Sequence, residues 1–127
     1  MTQKLRIAPT LRPTSLRIAL AQMNQRIGDL SGNAAAILTV RAAAGAQGAE
    51  LVLTPELQLT GYPVEDLVLK PEFVRRTLEA TERLVDATAD GGPALLFGIC
   101  APPRCRNLAL WWCACLRRSD QRTGDAL

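Results

Sequence analysis

The sequence predicts an α/β fold in which strands and helices alternate along one sheet. Three short apolar runs, at residues 16–23, 51–54 and 94–99, are separated by two longer segments whose apolar residues recur at helical spacing. Alternation of strand and helix is typical of layered architectures with a parallel sheet. A chain of 127 residues accommodates one domain or part of one.

The first strand is predicted over residues 16–23. Leu16, Ile18 and Leu20 alternate with smaller or charged residues at a period of two, which is the pattern of a strand with one apolar face. The preceding residues 1–15 are interpreted as an N-terminal extension. They contain a second copy of the tetrapeptide LRIA, but two copies of four residues do not make a structural repeat.

The first helix is predicted over residues 34–47. A turn at residues 28–29 precedes it, and Ser31 or Asn33 is the expected N-cap, because both types accept hydrogen bonds from the first free backbone N–H groups. Gly48 is the expected stop. Its apolar stripe consists of Ile37, Val40 and Ala44.

The second half of the pattern repeats the first. Residues 51–54 predict a buried parallel strand, and residues 55–66 predict a loop. Pro71 suits the first turn of a second helix, where its missing N–H has no intrahelical partner to lose. This helix is predicted to end at residues 91–93, before a third strand at residues 94–99. Its predicted inner face consists of Val74, Leu78 and Val85.

Charge and composition change abruptly near the end of the chain. Residues 1–99 hold ten basic and ten acidic side chains, so the net charge of +3 lies entirely in residues 100–127, together with all four cysteines and both tryptophans. Histidine is absent, which excludes mechanisms that depend on an imidazole base or ligand. No stretch approaches the roughly 18 apolar residues of a membrane span, so we expect a cytoplasmic protein with no membrane partner.

Glu56 is the candidate catalytic residue. It follows directly after the apolar run at residues 51–54, and ligands in α/β sheets bind at the carboxyl ends of strands. A carboxylate held there against apolar neighbours can act as a general base. The alternative is a turn glutamate exposed to water, and the spacing of the residues alone leaves both open.

Three separated blocks resemble one family. TPELQLTGYPVEDLVLKPEF, at residues 54–73, is similar to the signature of the glutaminase domain of glutamine-dependent NAD synthetases, within the carbon–nitrogen hydrolase (nitrilase) superfamily. LRIALAQMNQRIGDLSGN, at residues 16–33, and GGPALLFGIC, at residues 91–100, resemble the same family in the same order. The resemblance therefore covers roughly residues 16–100.

The resemblance implies a fold and a chemistry. The fold is a four-layer α-β-β-α sandwich, of which this chain holds a part. The family uses a Glu, a Lys and a Cys: the Glu takes the thiol proton, the thiolate attacks the glutamine side-chain amide, and the Lys stabilises the oxyanion. By motif match Glu56 is the general base, and Tyr62 falls where the family places an aromatic residue near the glutaminase pocket.

The resemblance also implies ligands and partners for a full-length enzyme. Its ammonia would serve the ATP-dependent amidation of deamido-NAD to NAD, so glutamine, deamido-NAD, ATP and Mg²⁺ are expected there, along with a homo-oligomer. For this chain we expect no cofactor and no metal. The family's Lys and Cys lie further along the chain than Lys4 and Lys70, and none of the cysteines stands in the nucleophile motif: Cys100, Cys105, Cys113 and Cys115. We therefore expect the chain alone to be inactive.

Residues 111–127 are interpreted as an atypical tail after the family domain at 16–110. The run WWCAC, at residues 111–115, does not resemble the family. Valine codons rich in G and T yield Trp and Cys when read one base out of register, so a frameshift near Leu110 is our hypothesis.

Three other interpretations remain open. The four cysteines suggest a structural zinc site, but their spacings are a poor match to the two closely spaced cysteine pairs that such a site usually has. A stand-alone amidase of the same superfamily would share the motifs. The basic tail also suggests a non-enzymatic binding module. Its excess charge is small and no nucleic-acid-binding motif accompanies it, so we expect no nucleic-acid partner. Its basic residues are Arg104, Arg106, Arg117, Arg118 and Arg122.

The sandwich expected from the resemblance has a consequence for stability. A chain that holds one partial sheet leaves one sheet face and the sheet edges uncovered, which favours aggregation. We expect that uncovered face to include Leu95 and Phe97.

Overall fold

The computed structural model describes residues 15–100 and 110–115. The elements follow in the order β1 (Ile18–Leu20), α1 (Leu30–Ala46), β2 (Leu51–Leu53), a 3₁₀ helix (Glu65–Leu69), α2 (Pro71–Ala87), β3 (Ala94–Cys100) and β4 (Leu110–Cys115). This order confirms the predicted α/β class. The predicted extension at residues 1–15 lies almost wholly outside the described residues, and the predicted boundary after residue 110 falls inside β4 and stays a prediction.

The strands form one sheet whose spatial order is the order of the sequence, β1-β2-β3-β4. The first three strands are parallel, with Val52 of β2 lying between Ala19 of β1 and Leu95 of β3. The fourth strand runs antiparallel to β3 and pairs Trp112 with Gly98. The carboxyl ends of β1, β2 and β3 therefore meet at one edge of the sheet.

One face of the sheet is covered by the two helices. The main core joins residues of the sheet to Ile37 of α1 and Leu84 of α2, both 1% exposed. The sheet's contribution to this core consists of Val52, Leu95, Phe97 and Ile99. The expectation that Leu95 and Phe97 lie on the uncovered face is therefore wrong: these two side chains point to the helices.

Much of the opposite face of the sheet is exposed within the described residues. Side chains alternate across a strand, so the neighbours of the core residues lie on this face. Ile18 and Leu20 are 46% and 73% exposed there, and Leu53 and Leu96 line an open groove of about 870 Å³. We call this surface the open face.

The first helix begins four residues earlier than predicted. Asp29, and not Ser31 or Asn33, is its N-cap, and its Oδ1 accepts a hydrogen bond from the N–H of Gly32 at 2.9 Å. The side chain of Asn33 is instead buried and bonds to the loops that follow β1 and β2. The helix ends where predicted, with Gln47 as the C-cap.

The second helix begins at Pro71, as predicted, but its buried face is rotated relative to the prediction. Leu78 and Val85 flank the core, half-buried, while Val74 is also half-buried. Thr77 and Thr81 can be buried because each hydroxyl donates to the carbonyl four residues earlier, at 2.9 Å. The buried residues are Thr77, Ala80, Thr81 and Leu84.

A buried arginine joins α1 to the segment after α2. Arg41 Nη1 and Nη2 donate to the two carboxylate oxygens of Asp90 at 2.9 and 2.6 Å, and Nε donates to the carbonyl of Pro93 at 2.7 Å. The hydrogen bonds from Arg41, and next the one from the backbone N–H of Gly92, hold the pKa of the Asp90 carboxyl well below its usual range. Arg41 thereby fixes the start of β3 against α1.

Within residues 15–100 and 110–115, no helix is both long enough and apolar enough to cross a lipid bilayer.

Candidate active site

Glu56 lies in the turn that follows β2, at the edge where the carboxyl ends of the parallel strands meet. Its side chain is exposed, and the preceding Pro55 lines the groove on the open face. Of the two alternatives that the sequence leaves open, the described residues show the second: Glu56 is a turn glutamate exposed to solvent. Glu56 itself is next to the groove in the chain and does not line it.

The turn that carries Glu56 has an uncommon backbone conformation. Leu57 adopts a φ of +55°, a region that non-glycine residues seldom occupy. Its carbonyl accepts a hydrogen bond from the N–H of Gly61 at 2.8 Å and one from Thr60 Oγ1 at 3.4 Å. The side chain of Leu57 is 4% exposed and packs in a small second cluster with Val64. The residue after Glu56 is thus fixed through both its backbone and its side chain.

Asn33 ties this turn to the loop after β1. Its Nδ2 donates to the carbonyls of Arg26 and Leu59, at 2.7 and 3.0 Å, and its Oδ1 accepts from the N–H of Arg26 at 2.9 Å. The N–H of Gly28 donates to the carbonyl of Thr60 at 2.9 Å. These bonds hold the loops after β1 and β2 side by side.

Gly61 allows the same two loops to approach closely. It has a φ of +85°, and a Cβ at this position would lie 2.5 Å from the Cα of Ile27. The turn bearing Glu56 therefore rests directly on the backbone of the neighbouring loop.

The other predicted site residues are placed as follows. Tyr62 is 65% exposed, directly after Gly61, and its proposed role near a substrate stays a prediction. Lys70 lies at the start of α2, and Lys4 lies outside the described residues. Cys113 and Cys115 are in β4. Among the described residues, no group of three or more Asp, Glu or Cys side chains is arranged to hold a metal ion.

Sequence reasoning missed three parts of this site. Asn33 was expected to cap a helix, and the φ of Leu57 has no sequence signal. The close approach at Gly61 depends on Ile27, which lies 34 residues earlier in the chain. The glycine at residue 61 is the one sequence signal for any of these features, because glycine is common where φ is positive.

Comparison with known proteins identifies the family. The carbon–nitrogen hydrolase family model matches residues 17–125. A glutamine-dependent NAD(+) synthetase of Rhodobacter capsulatus is 42% identical over 96 residues, which are 76% of this chain and 17% of that protein. The chain therefore spans less than one fifth of the length of this relative.

Solved structures agree with the sequence relatives. A glutamine-dependent NAD+ synthetase from Acinetobacter baumannii, in complex with ADP, matches with a TM-score of 0.63 and 30% identity, over 70% of this chain and 16% of that one. An amidase from Nesterenkonia sp. AN1 matches with a TM-score of 0.60 and 34% identity, over 69% of this chain and 33% of that one. This structure is that of a mutant of the amidase and shows covalent addition of the acetamide moiety of fluoroacetamide at its active-site cysteine.

Proposed function

This chain belongs to the carbon–nitrogen hydrolase family, and we propose that it is the N-terminal part of a glutamine amidohydrolase domain. In the complete enzyme this domain would supply ammonia for the ATP-dependent amidation of deamido-NAD to NAD. The observation that carries the proposal is the position of Glu56. The carboxylate in the motif that resembles the family's catalytic Glu stands exposed at the carboxyl edge of a parallel sheet, beside an apolar groove.

Glu56 would act as the general base of this reaction. A cysteine thiol has a pKa of about 8.5, so at neutral pH only a few per cent is thiolate, and a base within hydrogen-bond reach raises its reactivity. A positioned base contributes about 10²–10⁴ in rate. The thiolate would attack the side-chain carbonyl carbon of glutamine, ammonia would leave, and water would cleave the resulting thioester.

We propose that the chain alone does not catalyse this reaction. The general base is present, but neither lysine of this chain, nor any of its cysteines, matches the family's motif for the oxyanion stabiliser or the nucleophile. Without both groups, the reaction has no attacking thiolate and no stabilisation of the charge on the tetrahedral intermediate. An exposed Glu56 is consistent with a base that meets its thiol on another segment.

The remaining ligands of the enzyme belong, in this proposal, to parts that the chain does not cover. We propose that ATP and Mg²⁺ bind to that remainder, because the sequence of this chain does not contain the phosphate-binding motif GxxxxGK[ST]. We assign deamido-NAD to the same remainder, Tyr62 to the glutamine pocket, and the complete protein to a cytoplasmic homo-oligomer.

An ammonia-release assay on the purified chain with glutamine tests the inactivity. We expect no ammonia above background. Release that Glu56→Ala abolishes, and that the exposed control Glu82→Ala retains, would overturn this part of the proposal while supporting the role of Glu56.

The bases that follow the coding region test the identity of the complete enzyme. We expect them to resume an NAD synthetase sequence, in this frame or another, including a synthetase domain with its ATP-binding loop. If no frame matches such a domain, the proposed ammonia-supplying role fails.

A stand-alone amidase is the second candidate function. The match to the Nesterenkonia amidase, of which this chain covers 33%, favours it. It predicts the same use of Glu56 but a downstream sequence that ends after the hydrolase domain, so the same bases distinguish the two.

A further inference from the structure

The turn that carries Glu56 rests on strand β3 at a residue that has no side chain. A Cβ at Gly98 would lie 3.1 Å from the backbone nitrogen of Leu57, 3.8 Å from the Cα of Glu56 and 3.9 Å from its Cγ. The two contacts to Glu56 are ordinary van der Waals distances, but the contact to the nitrogen of Leu57 is tight, so that a Cβ at residue 98 would require the turn to shift by a few tenths of an ångström.

The alternation of β3 places residue 98 on the open face. Leu95, Phe97 and Ile99 point to the helices, and Leu96 lines the groove on the other side of the sheet. Gly98 lies two residues after Leu96 and so shares its face. The backbone of Glu56 and Leu57 therefore covers the open face at a position where any other residue would project a side chain.

The carbonyl and the side chain of Leu57, in the same turn, are fixed by contacts that do not involve Gly98. The carbonyl of Leu57 is bonded to Gly61, and its buried side chain packs with Val64. A side chain at residue 98 pushes against the nitrogen of Leu57, a backbone atom that cannot rotate away. Because the carbonyl and the side chain of Leu57 are held in place, we expect the displacement of the turn to be taken up by Glu56.

We propose that Gly98 is a positioning residue for Glu56. Because residue 98 has no side chain, the turn can lie directly on β3, and this contact determines the position of the Glu56 carboxylate above the open face. This inference rests on the proposed role of Glu56 as the general base.

NMR spectroscopy of the chain labelled with ¹³C-glutamate tests the proposal. The Glu56→Gln variant assigns the Glu56 signals. In the unsubstituted chain we expect a nuclear Overhauser effect between the Glu56 side-chain methylene and the Hα of Gly98, and a coupling constant for Leu57 that reports a positive φ. Absence of both would overturn the proposal without any variant having to fold.

The variant Gly98→Ala then tests the consequence. We expect it to move the Glu56 side-chain and Leu57 amide signals, while the signals of Glu72 and Glu79 on α2 remain in place. Leu96→Ala is the matched control, because it shortens a side chain on the same face of the same strand without filling the space under the turn. If Gly98→Ala leaves the Glu56 signals unchanged, or if Leu96→Ala moves them equally, the positioning role is refuted.

These results are independent of the proposed function. A Glu56 that proves dispensable for glutamine hydrolysis in the complete enzyme would refute the catalytic role and leave the NMR result intact. Unchanged Glu56 signals in Gly98→Ala would refute the positioning role and leave Glu56 as a candidate base.

Discussion

Replacing Gly61 with alanine separates two physical costs in the loop that supports Glu56. The first cost is conformational, because residue 61 has a φ of +85° and a left-handed conformation costs an L-residue about 1–2 kcal/mol. The second is steric, because the new Cβ would lie 2.5 and 2.8 Å from the Cα and N of Ile27 and 2.9 Å from the carbonyl carbon of Arg26. All three are backbone atoms, and forced overlap in a packed site typically costs about 1–3 kcal/mol.

Gly91 supplies the matched control. Its φ is +79°, close to that of Gly61, but among the described residues, its own chain neighbours aside, no heavy atom lies within 4 Å of where its Cβ would be. Both substitutions convert glycine to alanine, so their effects on the entropy of the unfolded chain cancel. We expect Gly91→Ala to cost about 1–2 kcal/mol from conformation alone. We expect Gly61→Ala to cost about 2–5 kcal/mol, with the overlap added.

Urea denaturation followed by circular dichroism measures both variants. Linear extrapolation gives the free energy of unfolding of each, provided the slope against denaturant is unchanged. A small domain is stable by only about 5–15 kcal/mol, so the difference between the variants is well within reach of the method. Equal losses in the two variants would refute the close approach of the loops after β1 and β2.

Three further predictions follow from described contacts. Asn33→Ala should lower the free energy of unfolding by about 1.5–4.5 kcal/mol, from three hydrogen bonds at about 0.5–1.5 kcal/mol each. The exposed control Ser31→Ala should lower it by about 0.5 kcal/mol or less. Equal effects of the two substitutions would contradict the bridging role of Asn33. The pKa of Asp90 is lowered on folding, so its contribution to stability is present above pH about 4 and is lost as the pH falls further. The stability difference between the unsubstituted chain and Asp90→Asn should therefore shrink below pH about 4, and a difference that is constant with pH would contradict the ion pair with Arg41. Leu20→Lys should reduce light scattering on concentration without lowering stability, since this side chain is 73% exposed on the open face; unchanged scattering would show that the open face does not drive association.

The sequence was sufficient for the order and type of the main elements. Strands and helices followed from local periodicity, and Pro71 marked the start of α2 because its missing N–H is harmless only in the first turn. The prediction of the N-cap of α1 was wrong because three residues of capping type lie close together, at 29, 31 and 33. The side chain of Asn33 donates a hydrogen bond to the carbonyl of Leu59, which is distant in sequence. This contact, which the sequence does not show, takes Asn33 out of the set of possible caps.

Assigning the faces of the sheet also required the structure. Residues 94–99 are apolar without alternation, so nothing in the sequence distinguishes the face that packs on helices from the open face. The placement of Leu95 and Phe97 on the wrong face follows from that ambiguity.

The candidate site was predictable in part. The position of Glu56 after a strand was correct, because strand ends converge at one edge in a parallel sheet. Its exposure was not predictable, since it depends on what covers the open face. The contacts that fix the turn, at Asn33, Gly61 and Gly98, come from segments far apart in sequence and leave no local pattern.

The order of the strands in the sheet, identical to their order in the sequence, bears on how the polypeptide folds during synthesis. Each strand pairs with the strand that was synthesised directly before it, so the pairing of β1 with β2 does not require a later strand. The β1-α1-β2 unit can therefore form on the ribosome before β3 is translated. Pulse-labelled hydrogen exchange on stalled nascent chains should show protected amides in β2 at lengths that still lack residue 94.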